Sequence, residues 1–578
     1  MNIINYKFFS LGSVLMLLLA MSCKKDKMDF ESDNRASTEN RVNSTARLVN
    51  LAGYGQVIAN GDTLTSFVVP NPLAPDADER LGTEYFPTNG SLGKTWFIPQ
   101  DLFNSNGHLE LDLSTRNYQG VGDEDLKFEV DNSYKSPTDY YIMPTSFMEG
   151  QTDVVKIPRD VAAPSKPDHF KIRIVNLSGP IKNQVFNSEG SLEDLTGNVS
   201  LAYADGTLVN AKTNNVSNLT KVSEYIELPY GTYQFKVLMQ DGRQLPALGS
   251  ELYETTIINP STSTIPVGSA RSSNLTYAPI QTYQPGGIYT VVVAPQGFRY
   301  LVNEMDETAS TYQNSFQIVN DNSAPVNNTY FKIHGANAWA QQNVNFRING
   351  IAIGAALSFG TAGEYSTFIQ GNHTVEALDA SGKVIATAEQ HLRPAQNYTA
   401  WLYPDASGAA KLLIVANDLS GSLPKNSSQD DATFNRHQYR YFFYKRFLNL
   451  SIGNPYITFT VNNGQADGGI NSNLNAGVNL QPGLPMLEQP YLNTSFASGA
   501  YQIMAYRSKP NIVPGSWADD IEILKSDDFI ARKELYMAVG RELPVHEPGI
   551  FTIALIGQSG EGTSSSVKAK MIIIKHNK

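Results

Sequence analysis

Eight histidines, one cysteine and four tryptophans are the side chains from which this 578-residue chain could assemble chemistry. His108, His169, His334, His373, His391, His437, His546 and His576 are scattered, and no two have the spacing that sets metal ligands on one helix turn or one hairpin. His373 falls where other copies of a repeat carry Tyr233 and Tyr501, so it reads as an amphipathic ring at the edge of a core. A single cysteine, Cys23, makes no thiolate cluster, and no Gly-x-Ser-x-Gly marks a nucleophile elbow. "GTSSSVKA" near the end reads as a loop, and no glycine-rich stretch has the form of a phosphate cradle. Asp123, Glu124 and Asp125 concentrate hard oxygen ligands that could hold calcium, but consecutive acids point in different directions, and the stretch reads as a solvated turn. Two carboxylates for glycoside hydrolysis need only meet in space, and the sequence singles out no pair. Neither a metal nor a cofactor is expected.

Flat aromatic faces are the remaining chemistry. Trp96, Trp339, Trp401 and Trp517 could each stack on a pyranose ring. Trp339, in "ANAWAQQN", sits in a loop after a first strand and is the ligand-binding candidate, with core packing as the plainer alternative; Trp401 lies within a strand and reads as core. "RYFFYKRF", Arg440 to Phe447, interleaves bases and rings as a groove for an anionic polymer would, but it overlaps a repeat opening and reads as a strand.

Cys23 stands where an apolar run, Phe8 to Met21, gives way to Lys24 and Lys25. The run is short of the roughly 20 residues that cross a bilayer, and with Lys7 before it and small Ala20 and Ser22 at its end it has the form of a secretory signal. Leu-Ala-Met-Ser-Cys resembles the lipobox of bacterial lipoproteins, with Leu19 one place further from the cysteine than in the commonest spelling. The resemblance implies that Cys23 becomes an acylated N-terminus, which also accounts for an unpaired cysteine in an exported chain. No Asp follows Cys23, and charged residues do. By similarity to Gram-negative lipoproteins this implies the outer membrane, on its cell-surface side. Phe30 to Thr45 is too polar to bury a core and reads as a flexible tether. Asp62-Thr63-Leu64 resembles an acceptor for O-glycosylation in some Gram-negative envelopes, which would place a sugar on Thr63.

A formal charge of −11 argues against nucleic acid, whose phosphates reward a surplus of lysine and arginine. The 29 tyrosines and 26 phenylalanines beside 44 glycines and 30 prolines favour short strands joined by tight turns. Asp519 to Val539 is the nearest approach to a helical pattern, and it fits neither period cleanly.

Three motifs recur four times in the same order. "TARLVNLA", "KIRIVNLS", "KRFLNLS" and the degenerate "FKIHGAN" open the units, with Asn50, Asn176 and Asn449 before a turn as structural amides. "YGTYQFKV", "QGNHTVEA", "SGAYQIMA" and "NGHLELDL" follow, so that Tyr233, Phe235 and Val237 share one face and Gln234 and Lys236 the other. "QPGGIYTVVV", "RPAQNYTAWLY", "EPGIFTIALIG" and "SPTDYYIM" come last. "VNFRINGIAIG" carries Asn349-Gly350, the strongest short hairpin signal. Alternation with turns every 8 to 12 residues or so predicts an all-β chain of tandem immunoglobulin-like antiparallel β-sandwich domains. The third unit, and the second through "RIVNLS", "VSLAYADG" and "IELPYGTYQFKV", resembles the bacterial family called domain of unknown function 4397, a repeated extracytoplasmic sandwich. The first and fourth match only at the anchors. That resemblance implies a fold and no activity.

The expected organisation is a signal peptide at 1–22, acylated Cys23 and tether to 45, and sandwiches at 46–160, 165–321, 328–419 and 438–578, joined by short linkers into a semi-rigid rod. The expected function is a non-enzymatic surface lipoprotein acting as a binding or structural scaffold, with the outer membrane as its lipid-anchored partner and a glycan or another surface protein as ligand. Its rivals are a glycan-binding accessory of polysaccharide uptake, an adhesin or pilus-type subunit, and a hydrolase.

Overall fold

The computed structural model describes residues 41–578 except 67, 70–78, 81, 116–124, 145–151, 182–194, 248–279, 302–307, 323, 418–442, 466–473, 487–489, 494–499, 538–542 and 544. The fold is all-β. Among the described residues of Asp519 to Val539, where a helix came nearest to being predicted, only the single turns Ser526–Phe529 and Glu534–Met537 form.

The chain divides into two compact units. In the first, the opening strand Asn43–Asn50 pairs antiparallel with Thr95–Pro99. A second sheet runs Asp62–Thr63, Gln56–Ala59, His108–Ser114, Asp125–Asp131. Leu109, Leu111 and Leu113 are buried while Glu110 and Asp112 point away, the period-2 pattern of a strand with one apolar face.

The second unit contains three sandwiches. In the second sandwich of the chain, the sheet Ile226–Pro229, His169–Asn176, Ile288–Leu301, Thr308–Asn322 shares one core with Val199–Ala202 and Lys236–Met239. The third stacks Ser366–Ile369, Tyr330–Asn337, Asn397–Pro404, Ala410–Ala416 on Ile351–Leu357, Val344–Ile348, Gly371–Leu378, Val384–Leu392. The fourth pairs Leu492–Asn493, Phe443–Ile452, Gly549–Gln558, Lys570–Lys575 with Ile457–Val461, Gln502–Lys509, Ile512–Trp517. The opposing sheets of the third and fourth sandwiches are antiparallel, as alternation predicted, and the sheet that holds each opening strand is mixed. His169–Asn176, Tyr330–Asn337 and Phe443–Ile452 each run parallel to the strand that opens the third motif. A parallel partner needs a long connection, and here the whole opposing sheet supplies it.

Asn349 and Gly350 both have positive φ, 46° and 84°, as a two-residue type I′ turn requires, and join Val344–Ile348 to Ile351–Leu357. The repeat asparagines tie the sheets together. Asn176 donates to the carbonyls of Gly197 and Val216 and accepts from Ser178 N–H. Asn337 does the same with Gln342, Leu357 and Trp339, and Asn449 with Asn454, Leu480 and Ser451.

Buried joints connect the three sandwiches. Tyr233, Phe235 and Val237 enter the second core as expected, but Gln234 and Lys236 on the opposite face are buried too. Lys236 Nζ lies 3.3 Å from Glu547 of the fourth sandwich, and Gln234 N–H donates to the Lys578 carbonyl. Lys332 of the third sandwich donates to the Tyr230 carbonyl of the second at 2.6 Å. Ala336, Ala338, Trp401, Leu448, Leu450, Ala554 and Ile556 form an apolar core between the third and fourth. Alternation shows that a face is polar; it does not show whether water or another sandwich covers it.

Candidate functional site

On the outer face of each opening strand in the second unit, the residue three places before the repeat asparagine is basic and buried: Arg173, His334, Arg446. The parallel neighbour puts a threonine opposite it, Thr290, Thr399 or Thr552. The last strand or the residue just beyond it adds Asp321, Asn417 or His576, and a tyrosine ring covers the group. Arg173 Nε donates to Thr290 Oγ1 at 3.1 Å, its guanidinium lies 4.6 Å from the Tyr225 ring, and Thr290 and Tyr225 both donate to Asp321 Oδ2. His334 Nε2 lies 2.7 Å from Thr399 Oγ1 and its ring stacks on Tyr365 at 3.9 Å. Arg446 donates to Thr552 Oγ1 at 3.2 Å and lies 5.3 Å from the Tyr491 ring. The first unit has a simpler version, a fully buried Arg47–Asp139 ion pair at 2.7 Å.

The third and fourth nodes merge. Arg446 donates to Asn417 Oδ1 and to the Ala416 carbonyl, Asn417 donates to Thr399 Oγ1 and Tyr365 OH, and Tyr365 OH and Thr552 Oγ1 flank the two nitrogens of His576 at 2.9 and 2.6 Å. His334 Nδ1 faces the Gly363 carbonyl at 2.8 Å, so Nδ1 carries the proton and Nε2 accepts from Thr399. Burial pushes the His334 imidazole down to about 4. Burial, with the Arg446 charge beside it, holds His576 well below the ordinary histidine range. Both rings are neutral at pH 7, and the network binds sandwich to sandwich. Its signals lay in the sequence as the basic residue before the asparagine and the Tyr/Phe-Thr pair; Tyr225 and Tyr365, each six residues before a repeat glycine, were missed.

The sequence candidates scatter. Cys23, Asp123 and Glu124 lie outside the described residues. Thr63 is exposed on a two-residue strand. Trp339 is buried in the third core, the packing alternative of its two readings, and its ring is not open to a ligand as the binding reading requires. Trp401 is in the joint core and Trp96 packs against Phe86. "RYFFYKRF" supplies the opening strand of the fourth sandwich from Phe443, fully buried. His373 packs edge-on to Phe331 at 5.1 Å, the core-edge position expected of it.

Trp517 is different: it is 50% exposed, at the end of the edge strand Ile512–Trp517. Antiparallel register sets it beside Tyr506 on one face of the sheet, and Pro514 and the Tyr506 hydroxyl crowd the same glycine, Gly464. Two aromatic residues paired in register on one sheet surface are residue types that can stack on another ring. The fourth sandwich also has an open depression of about 620 Å³, lined by Tyr501, Gln502, Lys525, Asp527 and Leu543 among others. Its Asp527 is paired to Lys533 at 2.5 Å, and that contact holds the carboxyl below its usual range, ionised and unsuited to general acid work. Among the described residues no three His, Cys, Asp or Glu side chains group as a metal site, and no helix is long and apolar enough to cross a membrane.

No family model matches the chain, and no curated protein matches it. Among solved structures, the product complex of a multi-modular glycogen-degrading pneumococcal virulence factor, SpuA, aligns at 9% identity over 71% of this chain and 44% of that one, with a TM-score of 0.11. This chain therefore spans less than half of that structure's length.

Proposed function

We propose that the protein is a non-enzymatic lipoprotein, anchored through acylated Cys23 at the surface of the outer membrane, whose sandwiches serve as a scaffold for binding. The observation that carries this reading is the fate of the buried polar side chains: Arg173, His334, Arg446, Lys236 and their partners are engaged in holding strands and sandwiches together. The Leu19-to-Cys23 motif and the polar tether supply the anchor. Cells fed a labelled fatty acid test it. The wild-type chain is expected to carry label and to sediment with membranes, and Cys23→Ala to lose both; equal labelling of the variant overturns the anchor.

A second reading, glycan binding, is favoured by Trp517 beside Tyr506. On this reading Trp517→Ala lowers retention of the full-length protein on an insoluble polysaccharide by roughly five- to thirtyfold, the effect of losing one or two kcal/mol of stacking. Trp339→Phe, a change within a core, leaves retention unchanged. Equal retention of wild type and Trp517→Ala removes this reading and leaves the scaffold.

A further inference from the structure

Three arginines occupy the same buried outer-face position, and two of them have a carboxylate in their node: Arg47 has Asp139, and Arg173 has Asp321, two contacts away through Thr290 and Tyr225. The third does not. Arg446, 3% exposed, meets the Asn417 amide where the second sandwich has Asp321, and His576 where a carboxylate could stand on its own last segment. Its Nε has no hydrogen-bond partner among the described residues. His334, 2% exposed, lies 6.0 Å from His576 ring to ring. One guanidinium and two imidazoles thus share a closed space at the junction of two sheets.

We propose that the joint between the third and fourth sandwiches is acid-labile: protonation of His334 and His576 beside Arg446 separates the two outer sheets. The groups facing the imidazoles leave no other outcome. From the third sandwich come Tyr365, kept protonated by burial, and the neutral amide and hydroxyl of Asn417 and Thr399. The fourth contributes Arg446, Thr552 and the Tyr491 ring across the guanidinium. Glu364 is the nearest carboxylate acting on His334, but it is exposed at the rim and engaged by Lys578 at 3.2 Å. Among the described residues a second or third positive charge in this space has no counter-ion, and an unpaired buried charge is expelled to water. His334 Nε2 would also change from acceptor to donor against Thr399.

The sign follows from proton binding. Both imidazoles titrate lower in the closed joint than in water, so the open form binds more protons below the ordinary value of about 6.5, and closure weakens as pH falls from there towards 4. For His334 alone, opening at pH 5.0 is favoured on the order of 30-fold over pH 7.5.

Hydroxyl-radical footprinting of the full-length protein in detergent, read by mass spectrometry, tests this, because Trp401 lies in the joint and Trp339 inside the third core. Oxidation of Trp401 is expected to rise roughly 30-fold between pH 7.5 and 5.0 while Trp339 stays constant. Asn417→Asp, which gives Arg446 the carboxylate that the second sandwich has, is expected to flatten the response, as is His576→Asn. A flat Trp401 profile in the wild type overturns the proposal. So does a parallel rise of Trp339, which reports unfolding of the sandwich itself, or an unchanged response in Asn417→Asp.

Discussion

At the scale of single residues, the repeat asparagines account for much of why these sandwiches close. Each uses two donors and one acceptor inside the fold, adding a side-chain bond to carbonyls such as those of Val216 and Leu480 that also take a backbone N–H. Asn449→Ala removes three hydrogen bonds and takes the side-chain donor from the Asn454 carbonyl, while the Leu480 carbonyl keeps Ile457 N–H, so the fourth sandwich is expected to lose about 1 to 3 kcal/mol, measured as a lower urea midpoint for its unfolding. An unchanged midpoint would mean that water replaces the amide. Position alone marked these residues, since an asparagine ending an apolar strand before a turn has few roles other than capping. The basic residue three places earlier was equally visible, but its partners come from strands more than a hundred residues away in two of the three cases, and no local spacing predicts such a meeting.

At the scale of elements, alternation and turn chemistry carried the strands. Asn349-Gly350 specified its hairpin because few other dipeptides tolerate two positive φ values in succession. The degenerate opening "FKIHGAN" has a physical reason that the sequence could not give. A Cβ on Gly335 would lie 2.3 Å from the Phe346 ring, so the third sandwich has a phenylalanine on the facing sheet and no side chain where the second has Ile174. Antiparallel pairing was legible, and the one parallel pair in each of the second, third and fourth sandwiches was not. Period-2 alternation is the same in parallel and antiparallel strands, and the parallel pairing of the first strand with the strand of the third motif rests on long-range closure of the sandwich. Trp339 had two readings, binding loop or core packing, and the structure has it in the core, where Asn337 Oδ1 accepts from its backbone N–H just after the strand ends.

At the scale of the whole molecule, the sequence leads one to expect sandwiches held semi-rigidly by short linkers, and in the second unit three sandwiches also share buried joints. Lys236 and Glu547 are both buried where two sandwiches meet, Tyr536 OH lies 3.1 Å from the same carboxylate, and Lys575, pushed down to about 8 by burial, stands 4.0 Å away. The scaffold function proposed above would gain from such rigidity, because freely jointed modules would pay the ordering entropy anew at each binding event. Pulse proteolysis along a thermal ramp, with fragments assigned by mass spectrometry, reads each sandwich separately in the intact protein and is the most direct test. If the joints make one body, the second, third and fourth sandwiches lose protection at a common midpoint at pH 7.5. Midpoints spread by more than about 5 °C, the shift expected from roughly a kcal/mol of independent stability, would contradict the account.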